Sequence, residues 1–179
     1  MKRILGALCT VLALGSAADA KTLVAYYSRT GNTAELAQKI ATATGADTFK
    51  IETVDANHYP TDYTETTKIA QDEINNDAVV AINAAPDLSE YDTIFIGTPV
   101  WWGTMSIPVK SFLRENDMSG KTIAPFVTHG GGGASRTFTD IATESRGANN
   151  LTGLEISGGS VDNSDGTVTQ WLSEIKVTE

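Results

Sequence analysis

One segment near the beginning of the sequence has the residue types of an anion-binding loop. An apolar, strand-forming stretch ends at Ser28, and apolar residues recur at helical spacing after Thr33. The segment between them therefore lies at a helix N-terminus, where free N–H groups and the helix dipole favour a negative charge. Hydroxyl and amide side chains add further donors to this loop, which consists of Ser28, Arg29, Thr30, Gly31, Asn32 and Thr33.

This first loop predicts a site for a phosphate monoester. It contains neither G-x-x-x-x-G-K-[ST] nor G-x-G-x-x-G, which disfavours a nucleoside triphosphate or a dinucleotide. A purely structural alternative is that Asn32 or Thr33 caps the helix while Gly31 makes the turn. The position of the loop, at the carboxyl end of the first strand, favours the ligand site.

A second segment offers a surface for a flat ring. It follows another apolar strand and consists of Pro99, Val100, Trp101, Trp102 and Gly103. Two indoles in a loop at the same sheet edge would let an aromatic ligand stack on at least one of them. Alternatively, both indoles plug the edge of the sheet or cover the following helix.

A third segment begins with Thr128, His129, Gly130 and Gly131 and contains four consecutive glycines, 130–133. Backbone amides exposed in such a loop suit hydrogen bonds to the polar edge of a heterocycle. The alternative is a mobile loop without a ligand. No acid or nucleophile beside His129 completes a catalytic constellation, so we predict a structural role for it and no catalytic residue.

Strand and helix patterns alternate along the chain and would position these loops. We predict strands at 22–28, 47–52, 93–97, 122–127 and 154–157, and helices at 33–45, 64–75, 107–115, 138–144 and 168–175. Parallel strands need helical crossovers that cover the sheet, so the pattern predicts an α/β doubly wound sandwich.

Composition narrows the classes of function. The 179 residues suit one domain, and 22 Asp and Glu against 13 Lys and Arg give a formal net charge of −9. Without a basic run, nucleic acid or an anionic membrane is disfavoured as the main partner. The single cysteine, Cys9, cannot form an internal disulfide, and no zinc-like spacing is present, so we predict no metal.

The first twenty residues have the anatomy of a secretory signal peptide. Lys2 and Arg3 precede an apolar run, and small residues stand at Ala18 and Ala20. We predict cleavage after Ala20, a mature domain of 21–179, and a periplasmic or secreted location in a bacterium. A transmembrane anchor is the alternative, but the apolar run is short for a hydrocarbon core of ~30 Å.

Together the three loops resemble the flavodoxin family over essentially 22–176. They match its Tyr-Ser-Arg-Thr-Gly-Asn-Thr phosphate loop, its Pro-x-Trp-Trp-Gly-Thr loop and its Thr-His-Gly-Gly loop. The resemblance implies a five-stranded parallel sheet in the order 2-1-3-4-5 and non-covalent FMN at its carboxyl edge. FMN phosphate would be held by 28–33 and the ring by the other two loops. In flavodoxins the carbonyl that corresponds to Gly103 can turn toward flavin N5–H on reduction, which favours one-electron steps.

The chain departs from the family pattern at two places near the expected ring. Many flavodoxins cover one ring face with a tyrosine where this chain has His129 and glycines. Acidic residues often follow the tryptophan-loop glycine, whereas this chain continues with Thr104, Met105 and Ser106. Both departures bear on the redox potential. The last strand region has no long insertion, so the chain is similar to short-chain flavodoxins.

We predict an electron-transfer protein, a monomer, that exchanges electrons with a redox partner protein or a small acceptor. Its acidic surface would attract a basic partner and disfavour the anionic reduced ring. The alternative is an FMN-dependent NAD(P)H:quinone-type oxidoreductase, for which the glycine loop would leave room over the ring. A third hypothesis is a binding module that has lost flavin.

Two further segments allow alternatives. The aromatic residues of 57–63 either rim the site or, as we favour, anchor a long loop around Pro60. The segment 165–169 resembles, faintly, sites of covalent flavin attachment, but Asp165 and Gly166 more simply make a turn and a cap.

Overall fold

The computed structural model describes residues 21–177, and the predicted signal peptide at 1–20 lies outside them. In this part of the chain, helices cover both faces of one mostly parallel sheet. The strands are β1 (Lys21–Tyr26), β2 (Asp47–Lys50), β3 (Tyr91–Trp101), β4 (Thr104–Met105), β5 (Thr122–His129), β6 (Asn149–Asn150) and β7 (Leu154–Ser157). The α-helices are α1 (Asn32–Thr44), α2 (Tyr63–Asn75), α3 (Ile107–Glu115), α4 (Thr137–Glu144) and α5 (Asp165–Glu174).

The sheet has the order β2-β1-β3-β5 at its centre, with all four strands parallel. The next position is shared by β6 and β7, which pair in parallel with the two ends of β5. Between them the chain passes Gly153, where an added Cβ would lie 2.3 Å from the Phe138 ring. The predicted order 2-1-3-4-5 is confirmed, with its last strand interrupted.

The central strands are buried on both faces, which explains their unbroken apolar runs. In β1, Leu23 and Ala25 pack with residues of α3 and α4, whereas Val24 packs with residues of α1 and α5. A strand covered on both sides has no reason to alternate apolar and polar residues. Because these strands are also parallel, their carboxyl ends lie together at one edge of the buried sheet.

The first helix shows how local sequence sets an element and its end. α1 buries Leu36, Ala37 and Ile40, which recur at helical spacing. It ends before Gly45, which adopts the left-handed conformation with φ 67° and donates its N–H to the carbonyl of Ala41. The bounds of α3 and β7 agree with the prediction, and the other α-helices differ from it by a few residues.

The largest departure from the predicted elements is at the tryptophan loop. β3 continues as far as Trp101, and the chain turns back as β4, with Val100 opposite Met105. Trp102 and Gly103 are the turn residues, with φ of 50° and 80°, the pair of positive values typical of a type I′ turn. Most of the predicted loop is thus a β-hairpin, because β4 pairs with the end of β3.

No helix within 21–177 combines the length and the apolar character that crossing a membrane requires. In the same residues, no group of three or more His, Cys, Asp and Glu side chains is arranged to hold a metal ion.

Candidate functional site

A cavity of about 580 Å³ lies at the carboxyl edge of the sheet, where the ends of β3, β5 and β7 meet the segment after β1. This is the position at which open α/β sheets bind ligands. The cavity brings together residues of all three predicted loops. Those that line it are Arg29, Thr30, Asn32, Pro99, Val100, Trp101, Trp102, Thr128, His129 and Gly130.

The first loop leaves the N-terminus of α1 open. Gly31 occupies the N-cap position with φ 104°, and no side chain caps the helix. The structural alternative, in which Asn32 or Thr33 is the cap, is therefore wrong. The N–H of Glu35 donates to the Gly31 carbonyl at 2.9 Å and begins the helical ladder, so the N–H groups before it point out of the helix end. Ser28 supports the turn by accepting the Gly31 N–H at 3.2 Å.

Thr33 is the member of this loop that turns away from solvent. Only 2% of it is exposed, and its hydroxyl shares a hydrogen bond of 2.8 Å with the hydroxyl of Thr128. Thr33 therefore does not line the cavity. It links α1 to β5 and so fixes the distance between the first and third loops.

Arg29 connects the first loop to the segment before α2. Its guanidinium Nη2 donates to the carbonyl oxygens of Pro60 and Thr61, at 3.2 and 2.8 Å. Thr66 in α2 reinforces the same segment by donating its hydroxyl to Pro60 O at 2.6 Å. Part of the donor capacity of Arg29 is thus used within the protein.

The two tryptophans have different roles. The Trp101 ring packs edge-on against Tyr27 and Tyr59, with centroid distances of 5.6 and 4.9 Å, so it joins an internal aromatic cluster. Trp102 is 54% exposed, and its Nε1–H donates to the carbonyl of Thr67 in α2 at 3.0 Å. Both side chains line the cavity, but only Trp102 spans from the hairpin to α2.

The segment before α2 is anchored, as the sequence favoured. The carboxylate of Glu73 accepts the hydroxyl of Tyr59 at 2.7 Å and lies 2.5 Å from Nε2 of His58. Burial, together with that hydrogen bond, raises the pKa of Tyr59 above its usual range, and burial raises the pKa of Tyr27 to about 12. Tyr63 differs from these anchors, because it is 73% exposed and lines the cavity.

The third loop is organised by its own histidine. Nδ1 of His129 accepts the N–H groups of Gly131 and Gly133 at 3.1 and 3.2 Å. Both glycines have positive φ, 116° and 70°, which lets their amides converge on one ring nitrogen. Two of the four glycine amides are therefore directed to His129 and not outward, and Gly131 does not line the cavity.

The Gly103 carbonyl, for which the resemblance implied a role toward flavin, has a protein partner here. It accepts the N–H of Arg136, at the beginning of α4, at 3.1 Å. The neighbouring Thr104 donates its hydroxyl to the carboxylate of Asp140 at 2.5 Å, and Arg136 also donates to that carboxylate. Turning the carbonyl toward a ligand would break its bond to Arg136, and the role of Gly103 stays a prediction.

Two walls of the cavity are formed by residues that the sequence analysis did not predict. Thr66, Thr67 and Ala70 come from α2, whereas Ser157 is the last residue of β7 and Gly158 and Gly159 follow it. The second group was foreseeable, because the carboxyl end of a predicted strand lies at the same edge. Gly158 packs closely on the first loop, where an added Cβ would be 2.3 Å from Nδ2 of Asn32. The wall from α2 depends on how that helix packs, which no local pattern indicates.

The cavity wall combines aromatic, aliphatic and polar residues and is not acidic. Among residues 21–177, its charged or ionisable lining side chains are Arg29, Tyr63 and His129, and no aspartate or glutamate lines it. The acidic character expected from the net charge is thus not found at the cavity wall. The segment 165–169, which faintly resembles sites of covalent flavin attachment, begins α5 and does not line the cavity either.

The fold and the cavity define an α/β protein of the flavodoxin type, with its cavity at the carboxyl edge of the sheet. Residues 21–175 match the family model described as flavodoxin. The chain belongs to the flavodoxin family.

A curated relative is the NAD(P)H dehydrogenase (quinone) of Cupriavidus metallidurans, which is 34% identical over 133 residues. The match covers 71% of this chain and 59% of that protein, so the chain spans about three fifths of the length of its curated relative.

Solved structures agree with the family. A protein of Bacteroides eggerthii assigned to the flavoproteins superposes with a TM-score of 0.78 at 28% identity, covering 89% of this chain and all of the other, 100%. A flavoprotein of Lactobacillus acidophilus in complex with FMN gives a TM-score of 0.66 at 26% identity, covering 80% and 97% of the two chains. This chain therefore has the fold of the flavoproteins, and FMN is bound by one of its structural relatives.

Proposed function

We propose that this chain binds FMN non-covalently in the cavity and uses it to transfer electrons. The observation that carries the proposal is the meeting of an uncapped helix N-terminus and an aromatic hairpin in one cavity of about 580 Å³. That volume is within the range of about 300–1,000 Å³ typical of small-molecule sites. The FMN complex of the Lactobacillus relative supports the choice of flavin.

The residues of the first loop suit the phosphate of FMN. The N–H groups at the end of α1 and the helix dipole favour a dianion there. Asn32 and Thr30 line the cavity beside them. Around Gly31 nothing lies within 4 Å of an added Cβ, so the loop leaves open space for a phosphate group.

The ring would lie between the hairpin and the third loop, with Trp102 and Gly130 among its neighbours. Flavin supplies one-electron and two-electron redox chemistry when bound, and the protein supplies orientation, hydrogen bonds and electrostatics. Trp102 is held by the Thr67 carbonyl, so its indole is already oriented. No side chain of the cavity is required as a nucleophile or as a catalytic acid.

We expect the physiological reaction to be electron exchange with a redox partner, for which the net charge of −9 would favour a basic protein surface. The protein would act as a monomer and, if the segment 1–20 is a cleaved signal peptide, outside the bacterial cytoplasm. N-terminal sequencing of the protein from the periplasm tests that location, and an uncleaved Met1 would contradict it.

Direct reduction of a quinone by NAD(P)H is the second candidate. It is favoured by the curated relative from Cupriavidus and by the third loop, 130–133, which has glycines where an aromatic residue would cover the ring. Rapid oxidation of NAD(P)H by purified holoprotein and a quinone, with no other protein present, would select this candidate over the carrier.

Flavin titrations with Asn32→Asp test the phosphate site. The substitution keeps the shape of the side chain and adds a negative charge beside the helix N-terminus, so we expect the Kd for FMN to rise about tenfold or more. Riboflavin, which lacks the phosphate, is the matched ligand, and its Kd should change little. An apoprotein that binds neither flavin would overturn the proposal, and an equal loss for both flavins would place the phosphate elsewhere.

A further inference from the structure

His129 stands where the third loop enters the cavity. It is the last residue of β5, lies opposite Ser157 of β7 in the sheet, and lines the cavity next to Gly130. Its backbone is therefore fixed by strand pairing. Its ring is fixed by the two glycine amides that converge on Nδ1.

Those two hydrogen bonds select one tautomer of the neutral ring. A ring nitrogen that accepts N–H groups carries no proton, so the neutral imidazole has its proton on the opposite nitrogen, Nε2. The backbone amides of Gly131 and Gly133 therefore select the tautomer. Within residues 21–177, Nε2–H of His129 has no hydrogen-bond acceptor.

The charges on the cavity wall determine what the Nε2–H donor of His129 can do. Among residues 21–177, no carboxylate lines the cavity, and the one cationic side chain on its wall, Arg29, already donates to two carbonyls. A negative charge that develops in the cavity would therefore meet no repulsion from a lining acid. A fixed N–H donor, which needs no reorganisation, would stabilise that charge.

We propose that His129, held as its Nε2–H tautomer by the glycine loop, is the donor that stabilises the anionic reduced form of the bound flavin ring. The inference rests on the proposed function. Reduction by two electrons with uptake of one proton adds a negative charge to the ring, and an N–H donor interacts more strongly with an anion than with a neutral acceptor. The donor therefore favours the reduced state over the oxidised state.

Two variants of His129 separate its role as a hydrogen-bond donor to the ring from its role in supporting the glycine loop. In His129→Asn, the side-chain oxygen can still accept the glycine amides, but the distal N–H is lost. In His129→Gln, the amide reaches toward the place of Nε2, but the nearby acceptor is lost. We expect the Asn variant to bind oxidised FMN and to lose roughly tenfold in relative affinity for reduced FMN, which lowers a two-electron midpoint potential by about 30 mV. The Gln variant should weaken oxidised FMN binding more and shift the potential less.

The experiment is a dithionite titration of each holoprotein against a reference dye, with dithionite as the electron donor. A parallel ¹H–¹⁵N NMR measurement on the flavin-free protein reports the tautomer of His129 without any flavin. The inference is overturned if NMR finds the Nδ1–H tautomer, or if the Asn variant has the potential of the wild type. If FMN does not bind to the wild type, the proposed function fails, and this inference fails with it.

Discussion

The two rims of the cavity are held in different ways. The hairpin is tied to other elements, because Trp102 donates to α2, Gly103 accepts from the beginning of α4, and Thr104 donates to Asp140. The glycine loop 130–133 is held mainly from within, by the ring of His129. One contact comes from outside, where the Ala134 N–H donates to the Glu155 carboxylate at 2.7 Å.

This difference indicates that the hairpin keeps its conformation by packing, whereas the glycine loop depends on a single side chain. The contrast therefore separates substitutions that should affect folding from those that should affect the conformation of the glycine loop.

Removing the aromatic anchor of the hairpin should have the largest effect. Trp101→Ala deletes a side chain that packs on Tyr27 and Tyr59, so we expect a loss of about 3 kcal/mol in the free energy of unfolding. Trp102→Ala is the matched control, since it removes an indole that is 54% exposed with one hydrogen bond, at about 1 kcal/mol. Urea unfolding measures both, and equal losses would contradict the division of roles between the indoles.

The glycine loop should respond to backbone strain more than to lost packing. Gly131 has φ 116° with open space around it, so Gly131→Ala should cost about 1–2 kcal/mol through strain alone. Gly132→Ala, one position along the same loop, has no positive φ and open space for the methyl group, so it should have little effect. Urea unfolding and amide exchange at Gly133 check the pair. Similar behaviour of the two variants would mean that the loop is not held in this conformation.

Among these substitutions, Tyr27→Phe should have the smallest effect on stability at neutral pH. The pKa of Tyr27 is raised to about 12 by burial, while an unfolded tyrosine titrates near ~10. The folded state favours the protonated phenol, so this contribution to stability is complete below pH ~10 and is lost as the pH rises through about 12. Tyr27→Phe should lose less stability than the wild type over that interval. Tyrosinate absorbance follows the titration, and ionisation of Tyr27 at the ordinary tyrosine value of ~10 would refute the prediction.

Much of the architecture could be predicted because it rests on short-range patterns. The unbroken apolar run of β1, the helical spacing of Leu36 and Ile40 and the stop at Gly45 each depend on neighbours within a few residues. The three loops were placed on one edge of the sheet by the rule that parallel strands share their carboxyl ends. The hairpin was missed because β4 is only two residues long, Thr104–Met105, and carries no strand pattern of its own.

The sequence by itself determined the alternation of strands and helices, the order of the loops and the residue types that suit a phosphate and a ring. Only the tertiary structure decided that Trp101 packs inward while Trp102 reaches α2. It also decided that α2 supplies a wall of the cavity, and that the N–H of Arg136 donates to the Gly103 carbonyl. The physical reason is the separation along the chain over which each kind of interaction acts. Periodicity and turn chemistry act between near neighbours, whereas these contacts join residues that only the packing of separate elements brings together.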